Sequence, residues 1–313
     1  MNYNKLRLML ISLSILSYKV RYGVFEIMQA TGERFIPSVM NDPMLAYEHW
    51  HRYFLASKYV KDKVVLDIAC GAGYGSDLLS NLAEKVIGID LSEESIEFAK
   101  KHYTNENIQF KQGSISNIPL TDKSVDVIVS YETIEHVDED LQHIAMKEYG
   151  RVLKDDGILI ISTPSKNAKN YNAENPYHLK EYYTDEFVDF LQKYFKKISY
   201  AGQEIKFAST IVSNDNEDYE IKYTNYSKIY KPISPDKSSL TYLIAICSNL
   251  ETLNIPNSIM VDSGGEMMNF YTSQIKSLQK KLANIEEKIL KNPFIWFSYV
   301  KKSIFKKIWN RKR

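Results

Sequence analysis

Val64-Val65-Leu66-Asp67-Ile68-Ala69-Cys70-Gly71-Ala72-Gly73-Tyr74-Gly75 is the stretch that decides the fold of this chain. Its first six residues are apolar except for one acid, the composition of a strand buried on both faces of a parallel sheet. The glycines that follow permit a tight turn and a close approach of backbone to a ligand. Helical spacing resumes over 76–83, and Lys85–Asp90 is a second short apolar run. Ser92 is placed to cap the next helix, which runs to about Tyr103. Glu93, Glu94 and Glu97 lie in its first turns, where acids suit the positive end of the helix dipole. Position 95 is serine, so there is no capping box. Farther out, 108–112, 125–130 and 157–163 read as strands and 141–153 as a helix. Strand and helix alternate in short units, which predicts an α/β doubly wound parallel sheet covered on both faces. Right-handed crossovers then leave few strand orders.

Beyond Pro164 the pattern loosens. Residues 184–194 read as an amphipathic helix, 197–202 as a sixth strand and 240–248 as a seventh. The polar, tyrosine-rich stretch at about 213–238 reads as a surface insertion. Met268, Tyr271, Ile275, Leu278, Leu282, Ile285 and Ile289 then alternate spacings of three and four. That heptad seam predicts a coiled-coil helix over 263–292, between subunits or back on the domain, with an ordinary amphipathic core helix as the alternative. Residues 293–313 read as a basic amphipathic helix suited to peripheral membrane contact or to a partner protein.

The bulk numbers exclude several classes. Lys and Arg total 40 against 39 Asp and Glu, so no global field draws the chain to nucleic acid. Cys70 and Cys247 have neither metal nor disulfide spacing, so no metal is expected and both are read as buried thiols of a reducing, cytoplasmic compartment. The apolar run 8–16 behind Lys5 and Arg7 looks like the start of a signal peptide, but no small-residue cleavage site follows. Residues 1–27 are therefore read as an N-terminal extension, and 28–262 as the main domain.

The loop's chemistry follows from its acids. Asp67 sits in the strand, four residues before the first glycine, and the spacing is G-x-G-x-G rather than G-x-G-x-x-G. A carboxylate there favours a cation or an amine and repels a pyrophosphate. S-adenosylmethionine carries an ammonium and a sulfonium and no phosphate; a nicotinamide dinucleotide is disfavoured on the same ground. Asp90, at the end of the second strand, can accept hydrogen bonds from both ribose hydroxyls of either ligand. The alternative for Asp67 is a buried carboxylate that caps the loop.

On these residues the chain resembles the class I S-adenosylmethionine-dependent methyltransferases, over roughly 31–248. The family's motifs match Leu66-Asp67-Ile68-Ala69-Cys70-Gly71-Ala72-Gly73, Ile89-Asp90-Leu91-Ser92, Ser124-Val125-Asp126-Val127-Ile128 with Glu135-His136, and Arg151-Val152-Leu153-Lys154-Asp155-Asp156-Gly157. The resemblance implies a seven-stranded sheet ordered 3-2-1-4-5-7-6 with an antiparallel seventh strand, and S-adenosyl-L-methionine as cofactor. The implied donor contacts are Asp67, Ala69, Gly71, Gly73, Asp90, Leu91, Ser114, Ile115 and Tyr131. Where the family often has G-D-A, this chain has Gly113-Ser114-Ile115. A narrower likeness, in Thr31-Gly32-Glu33-Arg34-Phe35-Ile36-Pro37, Glu48-His49-Trp50-His51-Arg52-Tyr53 and Asn175-Pro176-Tyr177-His178-Leu179-Lys180-Glu181, is to bacterial methyltransferases of glycan and O-antigen assembly. It implies a glycan or related small acceptor, with a non-catalytic scaffold as the rival reading.

Methyl transfer depends mostly on alignment, but a hydroxyl acceptor gains from a general base. His136, after the fourth strand, and His178, after the fifth, are candidates, each with a structural contact as the alternative. Glu132 and Glu135 are further candidates, and Glu132 can also sit beside the donor's methionine moiety. His49, His51 and Arg52 fall on an amphipathic helix expected either to lid the pocket or to show solvent a polar face.

Overall fold

The computed structural model describes residues 43–168, 175–206, 240–260, 262 and 265–291. The extension 1–27, the motif 31–37, the insertion at 213–238 and the basic segment 293–313 lie outside the described residues. The chain divides into two units, Met1–Ser258 and Ile259–Arg313.

In the first unit, helix α1 (Pro43–Ser57) precedes strand β1 (Val64–Ile68). There follow α2 (Tyr74–Ser80), β2 (Lys85–Asp90), α3 (Glu93–His102), β3 (Ile108–Gln112) and β4 (Val125–Ser130). A 3-10 turn (Ile134–His136), α4 (Glu139–Val152), β5 (Leu153–Pro164), α5 (Thr184–Gln192), β6 (Lys197–Gln203) and β7 (Tyr242–Ser248) come next among the described residues. The seven strands form one sheet ordered β3-β2-β1-β4-β5-β7-β6. β7 runs antiparallel to both neighbours, pairing Pro164 with Tyr242 and Tyr242 with Gln203, and the other pairs are parallel.

Each central strand is apolar throughout because both of its faces are covered. Leu66, Ile68, Ile128, Leu159 and Ile161 pack against Met146 and Tyr149 of α4 and Phe187 and Phe190 of α5. Val65, Val127, Val129 and Ile160 pack on the other face against Tyr53 and Ala56 of α1 and Tyr74 and Leu79 of α2. The Ser92 cap forms as expected, its hydroxyl accepting from the Ser95 N–H. β5 starts four residues earlier than its apolar run, because buried Leu153 pairs with Val125 across an irregularity in the ladder. α2 starts earlier too: Gly73, in the left-handed conformation, turns the chain directly into the helix.

The second unit contains α6 (Glu266–Lys291), whose Met267 N–H donates to Asp262 Oδ2 at 2.8 Å. Its seam residues Met268, Ile275, Leu278, Leu282 and Ile285 are exposed in the single chain. No helix among the described residues is long and apolar enough to cross a membrane.

One buried amide organises the loops beyond β4 and β5. Gln142 of α4 donates from Nε2 to the carbonyls of Ile134 (2.7 Å) and Lys180 (3.1 Å), and its Oε1 accepts from the Tyr182 hydroxyl. The Glu135 carbonyl also accepts from the Leu179 and Lys180 N–H groups at 2.7 and 3.3 Å. The 3-10 turn and the segment before α5 are thereby fixed together. Replacing Gln142 by leucine strands buried carbonyls without partners. Gln142→Leu is expected to lose about 3 kcal/mol of stability, read by urea denaturation; an unchanged midpoint contradicts this role.

Candidate active site

The sheet order reverses between β1 and β4, and in such sheets ligands bind at the carboxyl edge beside the reversal. The backbone is strained at this edge. Ala69, after β1, and Glu132, after β4, are non-glycine residues with φ of 58° and 48°. Left-handed residues of this kind cost on the order of 1–3 kcal/mol each and tend to cluster at functional sites.

Asp67 lies beneath the loop and is almost wholly buried. Its Oδ2 accepts from Ser76 Oγ at 2.6 Å and its Oδ1 from Tyr53 Oη at 3.1 Å. Both oxygens therefore tie helices to the end of β1, which is the loop-capping alternative of the sequence analysis. Burial is the largest influence on this carboxyl; the bonds from Ser76 and Tyr53 resist it, and the Asp90 charge adds to it. The carboxyl is pushed up to about 7.

Asp90 faces the loop from the tip of β2. Its Oδ2 accepts the Gly71 N–H at 2.9 Å and its Oδ1 the Ser92 N–H at 2.8 Å. A methyl group at Gly71 (φ 55°) would meet no atom within 4 Å, so this glycine borders open space. The other two loop glycines also serve packing. A Cβ at Gly73 would lie 2.7 Å from Ala99 Cβ, and one at Gly75 would lie 1.9 Å from the Tyr53 ring. Leu91, just past Asp90, is 72% exposed. Ser114 Oγ lies 2.8 Å from Ser116 Oγ and accepts the Ser116 N–H at 3.2 Å. Ile115 packs against the core, and buried Tyr131 donates its hydroxyl to the Arg52 carbonyl at 2.8 Å.

α1 is fastened across the same edge. Arg52 Nη1 donates to Gln203 Oε1 at 2.8 Å, Gln203 Nε2 donates to the Glu48 carbonyl at 2.9 Å, and the Tyr242 hydroxyl donates to Glu48 Oε2 at 3.0 Å. The Arg52 guanidinium is 1% exposed and stacks over the Tyr242 ring at 4.7 Å. Its Nε and Nη2 have no hydrogen-bond partner. Burial works against its charge, and Glu132, followed by Tyr242, Tyr74 and Glu48, more than offsets that. His49 Nδ1 lies 2.6 Å from the Tyr74 hydroxyl and His51 Nε2 lies 2.8 Å from Ser258 Oγ. Burial, then the Arg52 charge, holds the His49 imidazole well below its usual range. The sequence left this helix either as a lid over the pocket or as a polar face toward solvent, and the buried guanidinium was not legible. The signal was an arginine inside Trp50-His51-Arg52-Tyr53, flanked by aromatic residues.

His136 and His178 meet on the other side of the reversal, and Glu132 lies near enough for its charge to act on Glu135. Glu132 Oε1 accepts from Ser162 Oγ at 2.6 Å. His136 Nδ1 donates to the Tyr177 carbonyl at 3.1 Å, and His178 Nδ1 donates to Glu181 Oε1 at 2.5 Å. The two rings meet edge to face at 5.0 Å. Glu135, adjacent, is 1% exposed, and its Oε2 accepts from Thr163 Oγ1 at 3.2 Å. Burial, then the Glu132 charge, holds its carboxyl well above the usual range.

Residues 66–161 match the family described as methyltransferase domain. A probable S-adenosylmethionine-dependent methyltransferase of Mycolicibacterium smegmatis is 32% identical over 165 residues, 52% of this chain and 63% of that protein. A counterpart in Mycobacterium tuberculosis is 30% identical over 168 residues, 53% of this chain and 60% of that protein. The chain thus spans 63% and 60% of the lengths of these curated relatives. A solved structure of a SAM-dependent methyltransferase from Archaeoglobus fulgidus aligns at TM-score 0.46 and 19% identity, covering 65% of this chain and 93% of its own.

Two expectations follow. Gly71→Ala keeps the fold at a cost of about 1 kcal/mol for the left-handed alanine and weakens donor binding at least tenfold, whereas Gly75→Ala forces a methyl into Tyr53 and loses about 3 kcal/mol. Thermal melts and calorimetric titration separate the two; equal stabilities contradict the assignment. Asp67 sets a pH dependence. The folded protein keeps this proton up to about pH 7, whereas an unfolded chain releases it near about 3.9. Folded protein binds more protons in that window, so this group's contribution to stability falls as pH rises from about 4 to about 7, by on the order of 4 kcal/mol at most. Asp67→Asn, which cannot ionise, should gain relative to wild type between pH 5 and pH 8 in scanning calorimetry. A constant gap between the two melting temperatures contradicts it.

Proposed function

We propose, from the match of residues 66–161 to a methyltransferase-domain family, that this protein uses S-adenosyl-L-methionine to methylate a hydroxyl, or a comparable nucleophile, of a glycan or related small acceptor. The observation that carries the reading is Asp90. Its carboxylate is held at the tip of β2 by the N–H groups of Gly71 and Ser92, beside the open face of Gly71. Carboxylate oxygens accept more than one hydrogen bond each, so Asp90 retains capacity for the two ribose hydroxyls.

The residues fit the rest of the donor. Arg52 presents two buried, unpartnered guanidinium nitrogens at the same edge, and buried donors left without an acceptor are costly. A donor carboxylate satisfies it in a bidentate pair. Asp67 beneath the loop favours the donor's ammonium, and binding that cation pulls the carboxyl's ionisation back down. When bound, the donor supplies an electrophilic methyl on a good leaving group. The chain's task is to orient that methyl against an acceptor and to ease loss of the acceptor's proton.

Glu132, His136 and His178 form the acceptor side. The glycan reading rests on the motif likeness around Glu48–Tyr53 and Asn175–Glu181. Self-association through α6 is part of the proposal, because its heptad residues Ile275, Leu278 and Leu282 are 55%, 61% and 57% exposed in the single chain.

The test is incorporation of label from methyl-labelled donor into isolated cell-envelope glycans. Wild type is expected to label them; Asp90→Ala should lower kcat/KM at least 100-fold, mostly through the donor KM. Donor binding by wild type with no label in any hydroxyl-bearing fraction contradicts the proposal.

A further inference from the structure

The fold brings together three side chains that neither the metal-spacing reading of the sequence nor the donor site uses as a set. One ligand atom each from Glu135, His136 and His178 lies within 4.8 Å of the other two. Glu135 and His136 come from the 3-10 turn after β4. His178 comes from the segment that the Glu135 carbonyl and Gln142 clamp onto that turn.

Three features make this a built site. Glu135 Oε1 is buried and has no hydrogen-bond partner. A carboxyl oxygen shut away from water without a donor is costly unless a proton or a cation occupies its open side. That oxygen lies 3.9 Å from His136 Nε2. Both imidazoles are also oriented by a second layer, since His136 Nδ1–H donates to the Tyr177 carbonyl and His178 Nδ1–H donates to the Glu181 carboxylate. The second layer engages Nδ1 of each ring, so Nε2 is the nitrogen that would face the cation. Metal-binding histidines are prepared in this way, by an oxygen partner on the other nitrogen. Glu132, which adds negative charge beside Glu135, further favours a cation.

We propose that Glu135, His136 and His178 bind one divalent metal cation, with Glu181 and the Tyr177 carbonyl as the groups that orient the two imidazoles. Two imidazoles and one carboxylate suit zinc, manganese, cobalt or ferrous iron rather than calcium, which prefers oxygens alone. Ligand atoms around a tetrahedral zinc ion stand about 3.4 Å apart, so the 3.9 Å pair closes by small side-chain movements. Three protein ligands leave a coordination position for an exogenous oxygen, the pattern of catalytic rather than structural sites. On the functional reading above, on which this role but not the site itself rests, that oxygen is the acceptor hydroxyl. A cation at this place lowers the hydroxyl's proton affinity and orients it toward the donor.

The test titrates full-length, chelator-stripped protein with Zn2+ by calorimetry and with Mn2+ by the electron paramagnetic resonance of the free ion. S-adenosylhomocysteine binding is measured in parallel as an independent readout of the donor side and of folding. Wild type is expected to bind one equivalent. His136→Ala and His178→Ala should weaken binding at least 30-fold and Glu135→Gln, which keeps the buried shape, at least tenfold. All three variants should retain S-adenosylhomocysteine affinity, and His143→Ala, outside the cluster, should bind metal as wild type does. Absence of a stoichiometric site in wild type, or a Glu135→Gln or His178→Ala variant that binds both ions as wild type does, overturns the site. Loss of S-adenosylhomocysteine binding by wild type with metal binding intact overturns the donor reading and leaves the cation site standing.

Discussion

Asp67 is a carboxylate with almost no access to water, and the architecture of the carboxyl edge depends on how it is satisfied. Ser76 reaches it from the helix after the glycine loop, and Tyr53 reaches it from the helix that precedes the sheet. An acid at this depth is tolerated because both oxygens are hydrogen-bonded and because it keeps its proton up to about pH 7. In return it fixes α1 and α2 to the end of β1, and Gly75 must then be glycine because the Tyr53 ring occupies the place of a side chain.

The charges at this edge alternate around the reversal of strand order. Asp67 and Asp90 lie on the β1–β2 side, the Arg52 guanidinium reaches in from α1, and Glu132 and Glu135 lie past β4. A zwitterionic donor with its own cationic sulfonium matches such alternation better than a polyphosphate does, because the acids nearest the loop repel phosphate. The strained backbone at Ala69 and Glu132 marks the same place. Strain of this kind persists where the surroundings over-determine the backbone, here through Asp67 below one residue and Ser162 against the other.

The sheet was legible from sequence because its central strands are buried on both faces, so VVLDI, KVIGID and VDVIVS are apolar without alternation. β3, at the sheet edge, was bounded correctly although IQFKQ alternates apolar and polar residues. Strand β5 was read short because Lys154, Asp155 and Asp156 are polar, although register with Val125 continues the ladder. The donor side was legible where one segment carries it, as at Gly71 and Asp90. It was not legible where partners are distant in sequence: Arg52 meets Gln203 and Tyr242 only once β6 and β7 close against α1. The same holds for His178, which reaches His136 because Gln142 and the Glu135 carbonyl hold two loops together. Spacing along a chain does not record such contacts. Nor did it distinguish the loop glycines, since only the packing against Ala99, Phe110 and Tyr53 separates Gly73 and Gly75 from Gly71.

The central claim is that the carboxyl edge carrying Gly71, Asp90 and Arg52 selects a cationic methyl donor over a dinucleotide. Calorimetric titration of the wild-type protein with S-adenosylhomocysteine and, separately, with NADH tests it most directly. The account predicts saturable one-to-one binding of the first and no measurable heat from the second. Equal or tighter binding of NADH, or no binding of S-adenosylhomocysteine, would contradict it.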